Sequence, residues 1–474
     1  MARITLVYPA IANIGFNSFN QKGNESSWLN FGLCSLSSYL KKHNHKVDLI
    51  DLRQLRGWLE YKNELIKRKP QFVGVHMNTM SRDFALKSCQ IAKKLGMTTV
   101  VGGPHPTIAL EDISKFNYID HIVLGEGEIS LNELVSGKIS DRIILGKHIE
   151  NLDKIPFPDR ELFDFKNIIK HTGYFPMVPP IADMLCSRGC PYNCAFCQPC
   201  ERKIFGEKVR WRSVRNIIKE IDELIEKYKI KTFMFSDDTF TVRKDWVLQL
   251  CLELKKRKIY WVAQTRSNTL TEELAEAMKE AGCIALLIGF ESGSQRMLNF
   301  LRKGITVEQS LKAAKICKKY GIIISANFMV GLPTETDKEV MDTVELIRKI
   351  KPEIQNSAFY TPYPGTDLED YCKKRSLIKA KKYEDYVRTT PGKIKGKDYD
   401  FLQKIILKTQ KTKTYWFQKP YFTKIVLERW AVMVKQGMFL EVVLEMLYNG
   451  GVYKSSIEKI IKNPLQALRY FLKV

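Results

Sequence analysis

The chain is 474 residues long, with 45% hydrophobic residues and a formal charge of +24. That length has room for roughly three domains, and the apolar fraction is large enough to fill their cores, which excludes a disordered or fibrous protein. No uncharged apolar run reaches the length of a bilayer-spanning helix, so we expect no transmembrane segment. The opening MARITLVYPA lacks the pattern of a secretory signal peptide, so we expect a cytoplasmic protein. The positive charge suits nucleic acid, an anionic membrane or simply solubility.

Residues 1–145 alternate short apolar runs with amphipathic helices. Helical patterns at 30–42 and 82–95 separate strand-like runs at 4–9, 46–52, 72–77, 98–103 and 121–128. This alternation predicts a doubly wound, flavodoxin-like α/β domain that binds its ligand at the carboxyl ends of the strands. Two of those ends carry glycines, in VGGPHPT (101–107) and GEGE (125–128), where a flat or bulky ligand can lie against the backbone.

A linker, residues 146–180, leads to a window that is dense in cysteine. SRGCPYNCAFCQPC (187–200) holds four of the eleven cysteines, and Cys186 directly precedes it. A disulfide scaffold is disfavoured, because such domains are short and spread their cysteines through the fold. Cys190, Cys194 and Cys197 form C-x3-C-x2-C, and no His follows at zinc-finger spacing. The spacing therefore favours an iron–sulfur site in a reducing compartment.

Three thiolates on one loop can hold three irons of a 4Fe–4S cluster and leave the fourth iron open to a small molecule. If Cys186 or Cys200 supplied a fourth thiolate, the cluster would be closed and would serve electron transfer alone. Spacing by itself leaves both arrangements open.

CSRGCPYNCAFC (186–197) resembles the cluster loop of radical S-adenosylmethionine enzymes, with Phe196 as the aromatic residue before the last cysteine. This resemblance implies that Cys190, Cys194 and Cys197 bind a 4Fe–4S cluster whose open iron binds S-adenosylmethionine, and that Cys186 is dispensable, as is Cys200. It continues through FGEKVRWRS (205–213), FMFSDDTFT (233–241), TRSNTLTEELAEAMKEAGC (265–283), IGFESGSQRML (288–298), NFMVGLPTET (327–336) and TPYPGT (361–366).

Residues 181–372 have the rhythm of a partial (β/α)6 barrel of the TIM type, which the resemblance also implies. Charged amphipathic helices such as 213–228 and 307–320 alternate with apolar runs at 181–186, 231–236, 259–265, 284–290, 322–330 and 354–361. The chemistry of such barrels lies at the carboxyl ends of the strands. Polar residues end successive strands here, so we expect them to meet at one mouth.

The strand ends offer a group for each part of S-adenosylmethionine. We expect Asp237 to bind the amino group, in the place where the family often has a Gly-Gly-Glu run. Arg266 suits the carboxylate, which its guanidinium can bind through two hydrogen bonds. Glu291 and Ser292 suit the ribose hydroxyls, and Gly331 lets the backbone approach the adenine. The alternative is that Asp237 and Asp238 are helix N-caps and that Glu291 is a surface ion-pair partner.

The N-terminal domain resembles the cobalamin-binding domain that precedes the barrel in one large class of radical S-adenosylmethionine enzymes. FGLCSLSSYLKKHNHKVDLIDL (31–52) and the PFPDR linker (156–160) carry this resemblance. It implies that cobalamin lies against the glycine-rich strand ends, where the candidate contacts are Gly102, Gly103, Thr107, Gly125 and Gly127.

One motif of cobalamin proteins is missing. The cobalt-ligating D-x-H-x-x-G sequence would follow the first strand, but residues 10–29 contain no His. We therefore expect no histidine axial ligand on cobalt, and we expect His76 and His105 to be packed or hydrogen-bonded residues. A domain that has lost cobalamin and binds another ligand remains an alternative.

Residues 373–474 are helical in pattern, rich in lysine, and interleaved with aromatic residues. This composition suits peripheral contact with an anionic membrane at the inner face, and a hydrophobic substrate. The alternative is a solvated helical cap on the barrel. Nucleic acid is disfavoured because the region matches no RNA-binding module, although basic and aromatic surfaces can bind single strands. The aromatic residues in question are Trp416, Phe417, Tyr421, Phe422 and Trp430.

These resemblances imply a cobalamin-dependent radical S-adenosylmethionine enzyme. We expect it to methylate an unactivated carbon of a hydrophobic small molecule through a 5′-deoxyadenosyl radical, with electrons from a donor such as flavodoxin or ferredoxin. An anaerobic oxidative cyclase of a porphyrin-like substrate has the same domain order and motifs. A non-catalytic cobalamin or iron–sulfur carrier is disfavoured, because a carrier has no need of Arg266 or Asp237.

Overall fold

A computed structural model describes residues 1–10, 16, 29–170, 176–197, 201–411, 420–438, 441, 442 and 445. In those ranges no helix combines the length and the apolar character that a membrane span requires.

Six parallel strands form the first sheet, in the order β2-β1-β3-β4-β5-β6. The order confirms the predicted doubly wound fold. The sixth strand was not predicted, because both of its outer residues, Ile143 and Leu145, are exposed and only one position is buried. The strands are β1 (Arg3–Tyr8), β2 (Lys46–Asp51), β3 (Phe72–His76), β4 (Thr98–Gly102), β5 (His121–Leu124) and β6 (Ile143–Leu145).

Helices cover both faces of this sheet. The Asn30 side chain accepts a hydrogen bond from the Leu33 N–H and so fixes the start of the first helix, and that helix lies beside the carboxyl ends of the strands. The helices are α1 (Phe31–Lys42), α2 (Trp58–Arg68), α3 (Arg82–Lys94), α4 (Pro104–Ile108), α5 (Leu110–Ser114), α6 (Glu128–Val135) and, in the linker, α7 (Phe165–Ile168).

A second sheet of six parallel strands, in the order β14-β13-β12-β11-β10-β7, forms the partial barrel that the sequence predicts. Its strands are β7 (Ile181–Met184), β10 (Thr232–Phe235), β11 (Tyr260–Thr265), β12 (Cys283–Glu291), β13 (Ile323–Val330) and β14 (Ile354–Phe359). Between its first two strands, the short β8 (Ser187–Arg188) pairs antiparallel with β9 (Arg210–Trp211).

Amphipathic helices pack on the outside of the barrel. Thr306 and Thr336 begin two of them with capping boxes, which satisfy the free N–H groups of the first turn. The helices are α8 (Glu201–Phe205), α9 (Val214–Tyr228), α10 (Lys244–Lys255), α11 (Glu272–Glu280), α12 (Gln295–Phe300), α13 (Val307–Lys319), α14 (Asp337–Ile350) and α15 (Asp367–Lys374), followed by α16 (Tyr399–Lys411) and α17 (Pro420–Lys435).

The α17 helix packs against the first residues of several barrel strands and closes that end of the barrel. Its residues Ile425, Val426, Trp430 and Met433 are buried in one cluster with inward-facing strand residues such as Met234. Trp430 is therefore a core residue, and the expectation that it contacts a membrane is wrong. The apolar face of an amphipathic helix looks the same whether a core or a membrane covers it. Trp416 and Phe417 and the side chains of Tyr421 and Phe422 lie outside the described residues.

Candidate active site

A cavity of about 500 Å³ lies where the carboxyl ends of the two sheets meet. The first sheet contributes the ends of β3, β4 and β5 and the start of α1. The barrel contributes the β8 strand, the start of α8 and the residues that follow β10, namely Ser236, Asp237 and Asp238. Ligand sites of parallel sheets lie at these ends, so the cavity lies where a site of each sheet is expected.

Four of the five predicted cobalamin contacts line this cavity: Gly102, Gly103, Gly125 and Gly127. Gly103 has φ +115°, and a Cβ on it would lie 2.8 Å from the Met77 carbonyl oxygen. Thr107 is not on the cavity wall, but it joins the two glycine loops, since its hydroxyl donates to the Gly103 carbonyl and accepts from the Gly125 N–H, both at 2.9 Å. The wall here is backbone, which leaves room for a bulky ligand.

His76 also lines the cavity, at the end of β3. Its ring stacks on Tyr8, with the ring centroids 6.2 Å apart, and burial lowers the pKa of the imidazole to about 4. His105, by contrast, lies within hydrogen-bond distance of Thr79 and Asp112. The imidazole of His76 therefore stays neutral at physiological pH.

A buried ionic network joins the two sheets at the cavity. Arg188, two residues before the first cluster cysteine, donates to Glu126 at 2.9 Å and to Glu128 at 2.6 Å. Arg210 on β9 binds Glu126 from the other side, and Ser35 on α1 donates to Glu128 at 2.6 Å. Burial raises the pKa of Glu128, but the Arg188 guanidinium and further hydrogen bonds outweigh it and leave that pKa below its ordinary value. We call these four charged residues the interdomain latch.

The three predicted cluster cysteines lie on one loop above the barrel. Cys190 and Cys194 are half-buried and Cys197 is exposed, and no disulfide joins any of the described cysteines. In the described chain no three His, Cys, Asp or Glu side chains are grouped closely enough for a single metal ion, and a cluster does not require it, because its thiolates bind different irons. Cys186 is fully buried in the apolar core, and Cys200 lies outside the described residues.

Arg266 is placed against the cluster loop. Its guanidinium lies 3.6 Å from the ring centroid of Tyr192, donates to Cys194 Sγ at 3.4 Å, and bonds to the Lys303 carbonyl. The side chain is buried. A guanidinium beside a cluster thiolate is well placed for an anionic group that approaches the loop.

Asp237 and Asp238 follow β10 side by side. The Asp237 carboxylate accepts from the Cys186 N–H at 3.1 Å and from the Ser187 hydroxyl at 2.5 Å, while burial raises its pKa to about 6. It therefore holds the start of the cluster loop, a contact that the sequence did not suggest. Asp238 shares a hydrogen bond with Glu201 across the cavity wall, and burial raises the pKa of both carboxyls, so the pair tends to share one proton.

The remaining predicted residues lie at the ends of β12 and β13. Glu291 adopts φ +62° and accepts from Lys303 Nζ at 2.8 Å, so it is a buried ion-pair partner and not a surface one. The Ser292 hydroxyl lies 3.2 Å from that of Thr343. Gly331 has φ +77°, and its N–H donates to Glu335. Phe196 is half-buried near Lys303, whose ammonium is 5.8 Å from the ring centroid.

Comparison with known proteins places these features in a family. The model of the radical SAM superfamily matches residues 184–347, and that of the B12 binding domain matches residues 25–135. An uncharacterised methyltransferase of Pyrococcus horikoshii is 33% identical over 76% of this chain and 82% of its own length. The chain belongs to the cobalamin-binding radical S-adenosylmethionine enzymes. The anaerobic magnesium-protoporphyrin IX monomethyl ester cyclase of Rubrivivax gelatinosus is 28% identical over 77% of this chain and 70% of its own.

Two solved structures have the same fold as this radical S-adenosylmethionine enzyme. The methyltransferase TsrM of Kitasatospora setae, solved with cobalamin and a 4Fe–4S cluster, has a TM-score of 0.64 at 16% identity, over 79% of this chain and 75% of its own. OxsB, solved with aqua-cobalamin and S-adenosylmethionine, has a TM-score of 0.66 at 16% identity, and the match covers 99% of this chain and 75% of the OxsB chain.

The cofactors of the family are a 4Fe–4S cluster, S-adenosylmethionine and cobalamin, and the residues present fit all three. The donor set for the cluster is three thiols on one loop. The cavity has a glycine wall that a single Cβ at Gly103 would obstruct. Arg266 and Glu291 place one cation and one anion at the barrel mouth.

Proposed function

We propose that this enzyme methylates an unactivated carbon of a hydrophobic small molecule. One observation carries the proposal: the glycine-walled cavity of the first sheet opens directly onto Asp237, Asp238 and Arg188 at the mouth of the barrel. A methyl carrier in that cavity would lie beside the place where a substrate radical would form. The bound cluster supplies the electron that cleaves S-adenosylmethionine, and cobalamin supplies the methyl group.

For the cluster, we propose Cys190, Cys194 and Cys197 as the ligands. Their half-buried or exposed positions on one loop support this assignment. Cys186 does not suit the role of a fourth ligand, because its side chain is completely buried among apolar residues on the helix side of the barrel. Cys190, Cys194 and Cys197 leave one iron without a protein thiolate.

For S-adenosylmethionine, we propose Arg266 for the carboxylate and Glu291 with Ser292 for the ribose. Each of these groups already has a partner within the chain: Arg266 bonds to Cys194, and Glu291 to Lys303. Binding would exchange those partners for the ligand, so Lys303 would remain as a counter-charge close by. Asp237 suits the amino group less than the sequence suggested, because its carboxylate already accepts two bonds from the cluster loop. Its part is to orient that loop.

For cobalamin, we propose the glycine loops of β4 and β5 as the cradle, with no histidine bound to cobalt. His76 is the one imidazole that lines the described cavity, so it is the residue to test. Electron paramagnetic resonance of the reconstituted cob(II)alamin form should lack nitrogen superhyperfine splitting from an axial base. A nitrogen triplet that disappears in His76→Ala would assign His76 to cobalt and overturn the expectation.

The alternative is an anaerobic oxidative cyclase acting on a porphyrin-like substrate. Its support is the Rubrivivax gelatinosus relative, which carries that activity in its name. Methylation has the support of the Pyrococcus horikoshii methyltransferase and of a bacteriochlorophyllide d C-12(1)-methyltransferase of Chlorobaculum tepidum, 26% identical over 64% of this chain. Both reactions begin with cleavage of S-adenosylmethionine, so the product distinguishes them.

The experiment is anaerobic reconstitution of the full chain with iron, sulfide, cobalamin and a reduced flavodoxin or ferredoxin. S-adenosylmethionine with a deuterated methyl group is added, together with candidate lipids, porphyrins and peptides. A methylase transfers the deuterated methyl group to one candidate and releases 5′-deoxyadenosine, as mass spectrometry will show. A cyclase yields an oxidised product without the label, and that result would replace the proposal with the alternative.

A further inference from the structure

The inside of the barrel carries polar side chains that the reaction proposed above does not use. Side chains alternate between the two faces of a strand. On β7, Ala182 and Met184 pack in the core with the outer helices, whereas Ile181 packs in the inner cluster with Met234. Asp183 and Leu185 therefore point into the barrel. The same alternation points Gln264 on β11 and Asn327 on β13 inward.

Asp183 is the deepest of these three polar residues. It pairs in register with Met234, which in turn pairs with Val262, so its neighbours at that level are apolar. Burial raises the pKa of the Asp183 carboxyl to about 7. No hydrogen bond reaches the carboxyl from any residue that the structure describes, although the Asp183 backbone carbonyl accepts from Arg160 at 3.0 Å.

Gln264 and Asn327 form the next steps toward the mouth. Gln264 pairs with Leu287 one level above the Val262 level, and Asn327 pairs with Gly289 one level higher again. Both side chains are half-buried, and neither amide has a hydrogen-bond partner in the described part of the chain. Asn356 on β14, in contrast, donates to Ser325 at 3.0 Å. Each of these two half-buried amides offers both N–H donors and a carbonyl acceptor, so each can hydrogen-bond to a ligand.

No cation among the described residues bonds to the Asp183 carboxyl, and the positive charge of Arg160 acts on it only through space. Arg266 and Lys303 stand at the mouth and are held by the Cys194 thiol and by Glu291. Arg160, the nearest cation to Asp183, is bound to Glu220 at 2.5 Å. An isolated carboxylate in apolar surroundings is costly unless a cation accompanies it. A protonated amine offers that charge together with three N–H donors.

We infer that the barrel binds a substrate with an apolar body and a protonated amine, and that Asp183 holds the amine while Gln264, one level nearer the mouth, completes its hydrogen bonds. Asn327, one level higher again, would face the part of the substrate nearer the mouth. This inference deepens the proposed function, since it names the chemical class of the hydrophobic substrate. Leu287, a partly buried inward residue that pairs with Gln264, would contact the body of that substrate. The polar end would then be fixed at the bottom and the reacting carbon would stand toward the mouth.

The test is equilibrium binding of hexylamine to the reconstituted full chain by isothermal titration calorimetry. 1-Hexanol and hexanoate are the matched neutral and anionic probes. The wild type should bind hexylamine at least tenfold more tightly than 1-hexanol and should bind hexanoate least. Asp183→Asn, which keeps the shape of the side chain, should remove the preference for the amine. Asp222→Asn, at an exposed carboxylate paired with Arg257, should leave the preference unchanged.

A second variant covers the case in which Asp183→Asn does not fold. Gln264→Leu should weaken hexylamine binding several-fold and leave 1-hexanol binding unaffected. Equal binding of the amine and the alcohol by the wild type, or an amine preference that survives Asp183→Asn, would overturn the inference. Iron and cobalamin contents are measured in the same samples. A chain that binds neither cofactor contradicts the proposed function, whatever the probes show.

Discussion

The two sheets end at the same cavity but present different chemistry to it. The first sheet presents backbone at Gly102 and Gly103 after β4 and at Gly125 and Gly127 after β5, and its two carboxylates there, Glu126 and Glu128, are bound by Arg188. The barrel presents charged side chains, and those at its mouth already have partners in the chain, such as Arg266 with Cys194 and Glu291 with Lys303. The comparison indicates that the first site is open before its ligand arrives, whereas the second must give up internal bonds to bind one.

This difference predicts different costs for the two ligands. A ligand that fills an existing cavity loses little binding free energy to rearrangement, because the cavity is already formed in the folded protein. A ligand that displaces the partners of Arg266 and Glu291 breaks existing hydrogen bonds and forms new ones. Its binding free energy gains only the difference between the two sets, which is small for each bond. The barrel site should therefore bind more weakly than its number of charged groups suggests, and it should select its ligand by geometry.

The largest expected effect is at the cluster loop. Cys194→Ala should remove nearly all of the iron from the reconstituted chain, because three thiolates are the minimum that holds the cluster here. Cys186→Ala should keep about four irons per chain. The measurement is iron content together with the absorbance of the cluster. Unchanged iron in Cys194→Ala would refute the assignment of the three ligands.

The interdomain latch comes next. Glu126→Ala leaves the buried guanidiniums of Arg188 and Arg210 without their shared carboxylate, so the free energy of unfolding should fall by about 3–5 kcal/mol. Denaturant unfolding, followed by circular dichroism, measures the change. Asp222→Ala breaks an exposed pair with Arg257 and should cost at most about 1 kcal/mol. If the two substitutions lower the free energy of unfolding by the same amount, the latch has no special role in stability.

A smaller effect is expected at the glycine wall. Gly103→Ala places a Cβ 2.8 Å from the Met77 oxygen and 2.9 Å from His76 Nδ1, at φ +115°. It should cost about 1–3 kcal/mol in backbone strain and lower the bound cobalamin several-fold. Gly137→Ala is the control, since it has φ +72° and no atom within 4 Å of the added Cβ. Equal cobalamin contents in the two variants would mean that the ligand does not lie against this wall.

The smallest effect concerns the proposed membrane contact. Lys404 and Lys408 are exposed on α16, near the exposed Leu407. Each lysine close to an anionic surface contributes about 1 kcal/mol, so a double change to Glu should reduce sedimentation with anionic vesicles at low salt but not at high salt. Truncation before α17 is a poor test, because that helix closes the barrel. Equal sedimentation of variant and wild type would leave the basic helices as a solvated cap.

The sequence predicted the fold well because the pattern of apolar runs is local. All six barrel strands begin and end within two residues of their predicted bounds, as do four of the six strands of the first sheet, whereas β5 ends four residues earlier than predicted. The β6 strand was missed because only Ile144 in it is buried. The apolar face of α17 was visible as a pattern, but packing partners such as Met234 lie more than 150 residues away and could not be identified from the sequence.

The site was predicted only in part, for a related reason. The cysteine spacing is a local signal, and so are the glycines that follow β4 and β5. The latch is not local, because Arg188 and Glu126 are 62 residues apart. The GEGE sequence was interpreted through its glycines, and the role of its two carboxylates was missed. Asp183 looks like an isolated charge in the run IADMLC, and only the packing of Ile181 and Ala182 shows that it points inward.

The latch also orders events during synthesis. Glu126 and Glu128 leave the ribosome about sixty residues before Arg188, which at about 5–20 residues per second is a delay of about 3–12 s. In that interval the nascent N-terminal domain can fold, but its two carboxylates must remain hydrated. The wall of the cavity that Arg188 supplies is therefore completed only after translation has passed the cluster loop. We expect a chain arrested near residue 150 to have the first sheet without a closed cavity, so that loading of a bulky cofactor follows synthesis of the barrel.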